Sequence, residues 1–209
     1  MSGVEVIGLI SAAISIFDAV TTLFDAIKDA QGLPQAFREV AARLPLVQDV
    51  LQTVAKQVNK SHIDDGSYEA MKTLLESCKS KASALETVLQ KTISPPEASR
   101  LERYYLAVKS LGKGSRVEIL MKGILQDMQL LVGNNALKAA SESQVQTLLT
   151  AVEELSTIPP SAPDEDGSHI YLNCGSGPQA INNDGTQNIN TGSGHQFNAP
   201  IQTLQLGKN

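Results

Sequence analysis

The 209-residue sequence predicts an all-α protein: a bundle of about six helices followed by a disordered, amyloid-competent C-terminal tail. Residues 1–158 carry apolar side chains at helical spacing, with helix-capping signals between the runs and no strand-like alternation. Residues 170–209 consist mainly of Gly, Asn, Gln, Ser and Thr, and they bury too little apolar surface to fold alone. Between these segments, residues 159–169 are rich in proline and acids, which indicates a solvated linker.

The first helix is predicted at the N-terminus, where no residue from Val6 to Phe17 is charged. A helix that is apolar on all faces is either buried in the protein or enters a membrane. Twelve residues are too few to span a bilayer, which takes about 20, and extension to Ile27 includes Asp18 and Asp25. Both a central core helix and a membrane-inserting helix therefore stay open. The residues that would insert are Val6, Ile7, Leu9, Ile10, Ile14, Ile16 and Phe17.

The second and third helices are predicted from their apolar seams. The second has a seven-residue repeat, at Phe37, Val40, Leu44, Val47, Leu51, Val54 and Val58. Pro45 lies off this seam, where we expect it to kink the helix. The third helix follows Asp64-Asp65-Gly66, and its apolar residues are Met71, Leu74, Leu75, Cys78, Leu85, Val88 and Leu89.

The last three helices are predicted from capping signals as well as apolar spacing. Ser94-Pro95-Pro96-Glu97 resembles a helix start, and Ser115 with Glu118 resembles a second one after the break at Gly112. The fourth helix would then bury Leu101, Tyr105, Val108 and Leu111. Gly133-Asn134-Asn135 would end the fifth helix or bend it, and this helix would bury Leu120, Met121, Ile124, Leu125, Met128 and Leu131. The sixth would bury Val145, Leu148, Leu149, Val152 and Leu155.

The composition excludes several classes of function. A formal net charge of −5 argues against a nucleic-acid partner, because phosphate contacts need a basic surface. The three histidines, His62, His169 and His195, have no metal-ligand spacing, and Gly112-Lys113-Gly114-Ser115 lacks the spacing of a phosphate loop. Cys78 belongs to an apolar seam, and nothing near Cys174 would activate its thiol. We expect a non-enzymatic, intracellular protein without a cofactor.

One stretch of the helical region is rich in basic residues. Residues 100–122 contain Glu102 and Glu118 against six cations, which are Arg100, Arg103, Lys109, Lys113, Arg116 and Lys122. These side chains could contact anionic lipid headgroups. A solvated helix face is the alternative, and the sequence favours it.

The tail repeats the pattern Gly-x-Gln-x-apolar-Asn. The pattern occurs twice in full and once loosely, through Gly177, Gln179, Ile181, Asn182, Gly185, Gln187, Ile189, Asn190, Gly194, Gln196, Phe197 and Asn198. From Gly167 to Asn209 only Asp184 and Lys208 are charged. Asn and Gln amides can form ladders between stacked strands, and the apolar residues between them can form a dry zipper. A flexible tail is the alternative, but the fixed residue order favours self-association as amyloid.

Two segments resemble known fungal proteins. The first segment resembles the HeLo-like and SesA-type helical domains. It consists of residues 4–19, with the pattern Val-x-x-Ile-Gly-Leu-Ile-Ser-Ala-Ala-Ile-Ser-Ile-Phe-Asp-Ala, and of Gly32-Leu33-Pro34-Gln35-Ala36-Phe37. Such domains occur alone or at the N-terminus of NACHT-type NTPases. The tail resembles the prion-like PP motif, an amyloid signature related to the RHIM motif of animal necroptosis. The combination resembles the architecture called HELLP.

The resemblance implies a cell-death effector. It implies an executioner of fungal programmed cell death, of the heterokaryon-incompatibility or necroptosis-like kind. A NOD-like receptor with a matching motif would template the tail into amyloid, and the helical domain would then permeabilise membrane lipids. The protein would be cytoplasmic when inactive and at the plasma membrane when activated. The alternative is a non-lytic helical adaptor, or regulatory domain of NACHT-type NTPase signalling, that the tail clusters.

Overall fold

The computed structural model describes residues 3–27, 32–60, 64–93, 98–133 and 142–163. Within these ranges the chain forms six α-helices, one short 3-10 turn at Lys113–Ser115 and no strand, which confirms the predicted all-α bundle. The helices are α1 (Gly3–Ile27), α2 (Gln35–Val58), α3 (Asp65–Ile93), α4 (Arg100–Leu111), α5 (Val117–Val132) and α6 (Glu142–Thr157). These ranges all belong to the first of two units, Met1–Ser168; the second, His169–Asn209, lies outside the described residues.

Four helices form the centre of the bundle. α1 packs between α2 and α3, and α5 closes the arrangement from the opposite side by packing on the same two helices. α4 packs on α3, whereas α6 packs on α5 and α2. α1 and α2 run antiparallel, because Phe24 contacts Phe37 at one end and Asp18 bonds to Gln48 further along.

The apolar seams predicted for α2, α3 and α5 form the core. All seven seam residues of α2 and all six predicted residues of α5 are buried. In α3 the predicted residues are buried except Leu74, which packs against the core while partly exposed. Pro45 lies inside α2 at an exposed position, and the kink expected there stays a prediction. α5 ends at Val132 with Gly133 as its C-cap, as predicted.

The predicted start of α4 was wrong. Residues 94–97 lie outside the described residues, and the helix begins at Arg100 with Ser99 as its N-cap. The Glu102 N–H donates to Ser99 Oγ at 3.2 Å, and the Ser99 N–H donates to the Glu102 carboxylate at 2.7 Å. This reciprocal pair satisfies two backbone donors that the first turn leaves without helical partners.

The buried face of α4 also differs from the prediction. Tyr104 and Ala107 are buried beside the predicted Val108, whereas Leu101 and Tyr105 are only partly buried. Leu111 is 44% exposed, so its predicted inward position was also wrong. In α6, Leu148 and Leu155 are buried as predicted, but Leu149 is 42% exposed because it lies on the outer side of that helix.

The predicted capping box of α5 is not formed. Ser115 belongs to the 3-10 turn and donates to the carbonyl of Gly112 at 2.6 Å, and the N-cap position of α5 is Arg116. Gly112 has a φ of +93°, a conformation that other residues rarely adopt, so the break in the chain depends on glycine at this position. Glu118 is buried and bonds to a different partner, described below.

Candidate functional site: the first helix and the C-terminal root

α1 is one continuous helix of 25 residues. At 1.5 Å per residue it is about 37 Å long, more than the roughly 30 Å hydrocarbon core of a bilayer. In the described part of the chain, it is the one helix long and apolar enough to cross a membrane, over Val4–Ile27. Core helices of soluble proteins and signal sequences meet the same criterion of length and composition. The helix is about twice as long as the uncharged segment from Val6 to Phe17, because it continues through Asp18 and Asp25.

α1 lies at the surface of the bundle and packs through one stripe. The buried residues of the stripe are Val6, Ile10, Ala13, Phe17, Val20, Phe24 and Ile27. Among the residues predicted to insert, Val6, Ile10 and Phe17 belong to this stripe, whereas Ile7, Leu9, Ile14 and Ile16 flank it and are partly exposed. Only 28% of its most apolar window is buried, so α1 packs through one face, and both the core-helix and the membrane-inserting alternatives stay predictions.

The outer side of α1 carries small and polar residues. Exposed positions recur at helical spacing and are Gly8, Ser11, Ser15, Asp18 and Thr22. Ser15 Oγ donates to the Ser11 carbonyl at 3.1 Å, and Thr22 Oγ1 donates to the Asp18 carbonyl at 2.9 Å. These hydroxyls bond to the preceding turn of their own helix, so they keep their partners wherever α1 moves.

Polar contacts at Glu5 and Asp18 join α1 to its neighbours. The Glu5 carboxylate accepts a hydrogen bond from Lys72 Nζ of α3 at 2.8 Å, and this bond raises the pKa of Lys72. Gln48 Nε2 of α2 donates to Asp18 Oδ1 at 2.8 Å. Both contacts lie at the solvent-facing edge, where water screens them and their contribution is small. The buried stripe is therefore what mainly holds α1 in the bundle.

The chain continues to pack on the bundle after α6. We name residues 159–163 the C-terminal root; within it Ser161 and Ala162 are buried. The Ser161 N–H donates to Glu118 Oε1 at 3.0 Å, and Ser161 Oγ bonds to Glu118 Oε2. The Tyr104 hydroxyl contacts Ser161 Oγ and accepts from the Val117 N–H at 3.3 Å. The predicted linker 159–169 therefore begins with packed residues, which the sequence analysis did not foresee.

The donors and acceptors of this network follow from the single proton of the Ser161 hydroxyl. Ser161 Oγ donates to Glu118 Oε2, so in its contact with Tyr104 it accepts from the phenol. Burial raises the pKa of Tyr104 to about 12, so its phenol keeps this proton. The network joins the C-terminal root to the junction of α4 and α5.

A ring contact extends the network to α1. The Tyr104 ring meets the Phe37 ring edge-on, with centroids 4.9 Å apart, and Phe37 in turn meets Phe24 of α1 at 6.1 Å. Side chains of the C-terminal root, α4, α2 and α1 are thus in continuous contact.

Truncation after residue 158 should destabilise the bundle relative to truncation after residue 163. The shorter chain leaves the Glu118 carboxylate buried without the two Ser161 donors, and a lost partner of a buried group costs roughly 1–3 kcal/mol. We expect its thermal midpoint to be lower by about 2–10 °C, as measured by circular dichroism. Ser161→Ala in the longer chain should lower the midpoint by part of this amount, and Ser156→Ala, at an exposed position of α6, should not. Equal midpoints for the two truncations would show that the root does not stabilise the bundle.

A groove between α2 and α6 contains the other notable charged cluster. Its volume is about 640 Å³, and it is lined by Glu39, Arg43 and Glu154 among others. The Arg43 guanidinium bonds to the Glu39 carboxylate at 2.8 Å and to the Glu154 carboxylate at 2.6 Å. Two carboxylates surround one cation here, which makes the groove a poor site for an anionic ligand.

The remaining chemical candidates fall on the core or outside the described residues. Cys78 is buried in α3, and burial raises its pKa to about 12, so the thiol stays protonated and unreactive. Among the described residues no group of His, Cys, Asp and Glu could hold a metal ion. Cys174, the three histidines and the whole predicted amyloid motif, from Gly177 to Asn198, lie outside the described residues.

Comparison with known proteins identifies the helical domain. Residues 10–131 match the family model of SesA, described as the N-terminal domain on NACHT NTPases and P-loop NTPases. No curated protein matches the chain, and no solved structure matches it. The match covers more than half of the chain, from the third turn of α1 almost to the end of α5, so it includes all of α2 and α3 and most of α1 and α5. This confirms the SesA-type part of the resemblance, whereas the prion-like tail and the HELLP architecture stay predictions. The chain belongs to the SesA family, the helical domains that accompany NACHT-type NTPases in signalling related to NOD-like receptors.

Proposed function

We propose that this protein is a membrane-targeting executioner of fungal programmed cell death. A NOD-like receptor with a matching motif would template residues 170–209 into amyloid, and the clustered bundles would then release α1 into the membrane. The protein would rest in the cytoplasm and act at the plasma membrane, without enzymatic activity, cofactor or nucleic acid. The observation that carries the proposal is α1, an apolar helix of membrane-spanning length held at the bundle surface by one stripe.

The internal bonding of α1 supports its transfer into lipid. Every backbone group of a helix interior is bonded within the helix, which a membrane requires. The hydroxyls of Ser15, Thr21 and Thr22 also bond to carbonyls of their own helix, so transfer leaves them satisfied. Release exposes the buried stripe, and burial of the same side chains among lipid tails compensates for that loss.

Two acids oppose the transfer. Asp18 and Asp25 lie in the second half of α1 and are exposed in the bundle. Carboxylates inside a bilayer are costly, and proteins tolerate them where several helices surround a wet interior. Insertion therefore requires several copies together, which is the condition that an assembling tail creates.

The C-terminal root supports a connection between tail assembly and the bundle. Ser161 lies a few residues before the predicted tail and bonds to Glu118 and Tyr104. Tyr104 contacts Phe37, which contacts Phe24 of α1. Tension on the C-terminal root would first break the hydrogen bonds of Ser161. Their loss would weaken the packing of the aromatic rings where α1 contacts α2. Clustering also raises the effective concentration of bundles at one membrane patch.

A non-lytic adaptor is the second candidate. The SesA family accompanies NACHT-type NTPases, and a helical domain in that setting can act by binding partner helices alone. The adaptor proposal requires clustering by the tail but leaves α1 docked in the bundle.

Seeded vesicle leakage separates the two candidates. The full chain is added to dye-loaded vesicles, with or without preformed fibres of residues 170–209. We expect rapid dye release only when the full chain and the fibres are both present. Residues 1–163, which lack the tail, should give no seeded release. Clustering of the full chain on fibres without any dye release would favour the adaptor.

A further inference from the structure

Polar side chains form one line along α1. Ser11, Asp18 and Asp25 follow one another at intervals of seven residues, which places them within about 40° of each other around the helix axis. Thr22 lies about 40° from Asp18 around the same axis. All four residues are exposed, so water reaches this line while α1 is docked in the bundle.

The rest of the helix circumference is mainly apolar. The buried stripe and its partly exposed aliphatic flanks occupy most of it. The Thr21 hydroxyl bonds to the Phe17 carbonyl at 2.8 Å, so it keeps its partner in lipid. Glu5 lies at one end of the membrane-length segment Val4–Ile27, where a charge can reach the lipid headgroups. A released α1 therefore presents one polar line to a membrane that otherwise meets apolar side chains.

The charges of α1 all have the same sign. From Gly3 to Ile27 the charged residues are Glu5, Asp18 and Asp25, and none is basic. Along the axis, Asp18 lies about 4 Å from the middle of Val4–Ile27, whereas Asp25 lies about 14 Å from it, near the edge of a hydrocarbon core of ~30 Å. Asp25 also has an interaction in the bundle. The charge near the centre of a membrane-crossing α1 is therefore that of Asp18.

The contact that Asp18 makes in the bundle leaves its charge intact. Asp18 Oδ1 accepts from Gln48 Nε2 at 2.8 Å, and the amide of Gln48 is uncharged. Because α2 supplies this donor, release of α1 removes it and leaves the carboxylate in need of water.

We propose that released copies of α1 line a water-filled pore that conducts cations in preference to anions, and that Asp18 sets this preference. The pore rests on the proposed membrane function and names what passes through the membrane. A carboxylate near the centre of a bilayer is tolerated where several helices share a wet interior. One Asp18 from each copy then forms a ring of negative charge, and the low-dielectric walls focus its field on the lumen. Hydrated K⁺ and Na⁺ are concentrated there, and Cl⁻ is repelled.

One flank of the polar line suits contact between the copies. Gly8 and Ser15 are exposed and lie about 60–80° around the helix from Asp18. In a ring of helices this flank faces the neighbouring copy, where small side chains let the backbones approach closely. A lysine in place of Ser15 would therefore separate the copies, whereas a substitution of Asp18 changes the charge of the lumen.

Currents through a planar bilayer between unequal KCl solutions test the proposal. The full chain is added with preformed fibres of residues 170–209, and the reversal potential gives the ratio of the K⁺ and Cl⁻ permeabilities. We expect K⁺ to be preferred by roughly tenfold or more at low salt. The preference should shrink at about 1 M KCl, where the Debye length is about 3 Å instead of about 10 Å at 0.1 M, because the preference arises from charge.

Asp18→Asn removes the charge and retains an oxygen that can accept from Gln48, so the bundle should keep its thermal midpoint. We expect this variant to conduct after seeding but to lose most of the preference for K⁺. The matched control is Asp49→Asn in α2, because Asp49 is also exposed and also accepts from a glutamine amide, that of Gln144, at 3.0 Å. The control changes the net charge equally outside α1 and should keep the wild-type preference.

Failure of the pore is distinguishable from failure of the proposed function. Seeded dye release with equal K⁺ and Cl⁻ permeabilities in the wild type would overturn the cation-selective pore and leave the executioner proposal standing. An Asp18→Asn protein that prefers K⁺ as strongly as Asp49→Asn would overturn the role of Asp18. If neither current nor dye release follows seeding, the executioner proposal fails together with the pore.

Discussion

Ser15→Lys should abolish membrane permeabilisation while the bundle stays folded. Ser15 is exposed on the outer side of α1, and its hydroxyl bonds only to the Ser11 carbonyl, so the bundle should change in stability by less than about 0.5 kcal/mol. The same residue lies at the middle of the membrane-length segment Val4–Ile27. A lysine at that depth in a lipid-exposed helix costs about 2.5–3.5 kcal/mol, a factor on the order of a hundred in insertion.

Seeded dye release and thermal melts measure the two effects separately. Ser156→Lys is the matched control, because Ser156 is also exposed and also bonds to a carbonyl of the preceding turn, in α6. We expect the control to permeabilise vesicles like the wild type, and both variants to bind fibres through the tail. A folded Ser15→Lys protein that releases dye at the wild-type rate would show that α1 stays docked, which favours the adaptor.

The buried stripe offers no equally clean substitution. Ile10 is fully buried, so a charge there would lose hydration without gaining a partner and would unfold the bundle. Ile14 is partly exposed, and a lysine could reach solvent along the flank, although it would remove core contacts as well. Substitutions on the outer side of α1 separate its role in membrane insertion from its role in the bundle, because the residues there contribute little to packing.

Helix periodicity predicted the core more reliably than it predicted helix ends. The seam from Phe37 to Val58 is buried at every predicted position, because a seven-residue repeat over three turns or more defines one face of a helix. The start of α4 failed because Ser94-Glu97 and Ser99-Glu102 carry the same Ser-x-x-Glu signal five residues apart. Local capping chemistry cannot choose between two such signals. The buried face of α4 depends instead on how the helix docks on α3, which buries Tyr104 and leaves Tyr105 partly exposed.

The candidate site also combines features that the sequence predicts with features that it does not predict. The apolar character of α1 is a local property that the sequence predicts, but the exposed strip of Gly8, Ser11 and Ser15 depends on where the helix docks. The bonds of Ser161 were not predictable from the proline-rich segment, because its partner Glu118 lies 43 positions away in sequence. One local signal indicated that Glu118 has a partner. Glu118 precedes the buried Met121 and Leu125 at helical spacing, and an acid on a buried helix face requires a hydrogen-bond donor.

One charge within the repeat of the tail should block its assembly. Gln187→Lys and Ile189→Asp place a charge in the central Gly-x-Gln-x-Ile-Asn unit, which lies outside the described residues. In a cross-β fibre identical residues stack about 4.7–4.8 Å apart along the axis, so each charge meets its copies in the adjacent layers and the repulsion repeats along the fibre. We expect wild-type residues 170–209 to form thioflavin-positive fibres and to be seeded by them, and both variants to stay soluble in the presence of wild-type seeds.

The control for this experiment follows from the structure. Ser161 lies in the segment predicted as linker, but its bonds to Glu118 make it part of the bundle, so a change there would mix folding with assembly. Asn173→Lys is the better control, because it adds the same charge within residues 170–209 but before the repeat begins. In the full chain, Gln187→Lys should also prevent seeded dye release, although the bundle is unchanged. If Gln187→Lys and Ile189→Asp form fibres as readily as Asn173→Lys, the repeat is not the assembling element, and activation of the bundle must originate elsewhere in the chain.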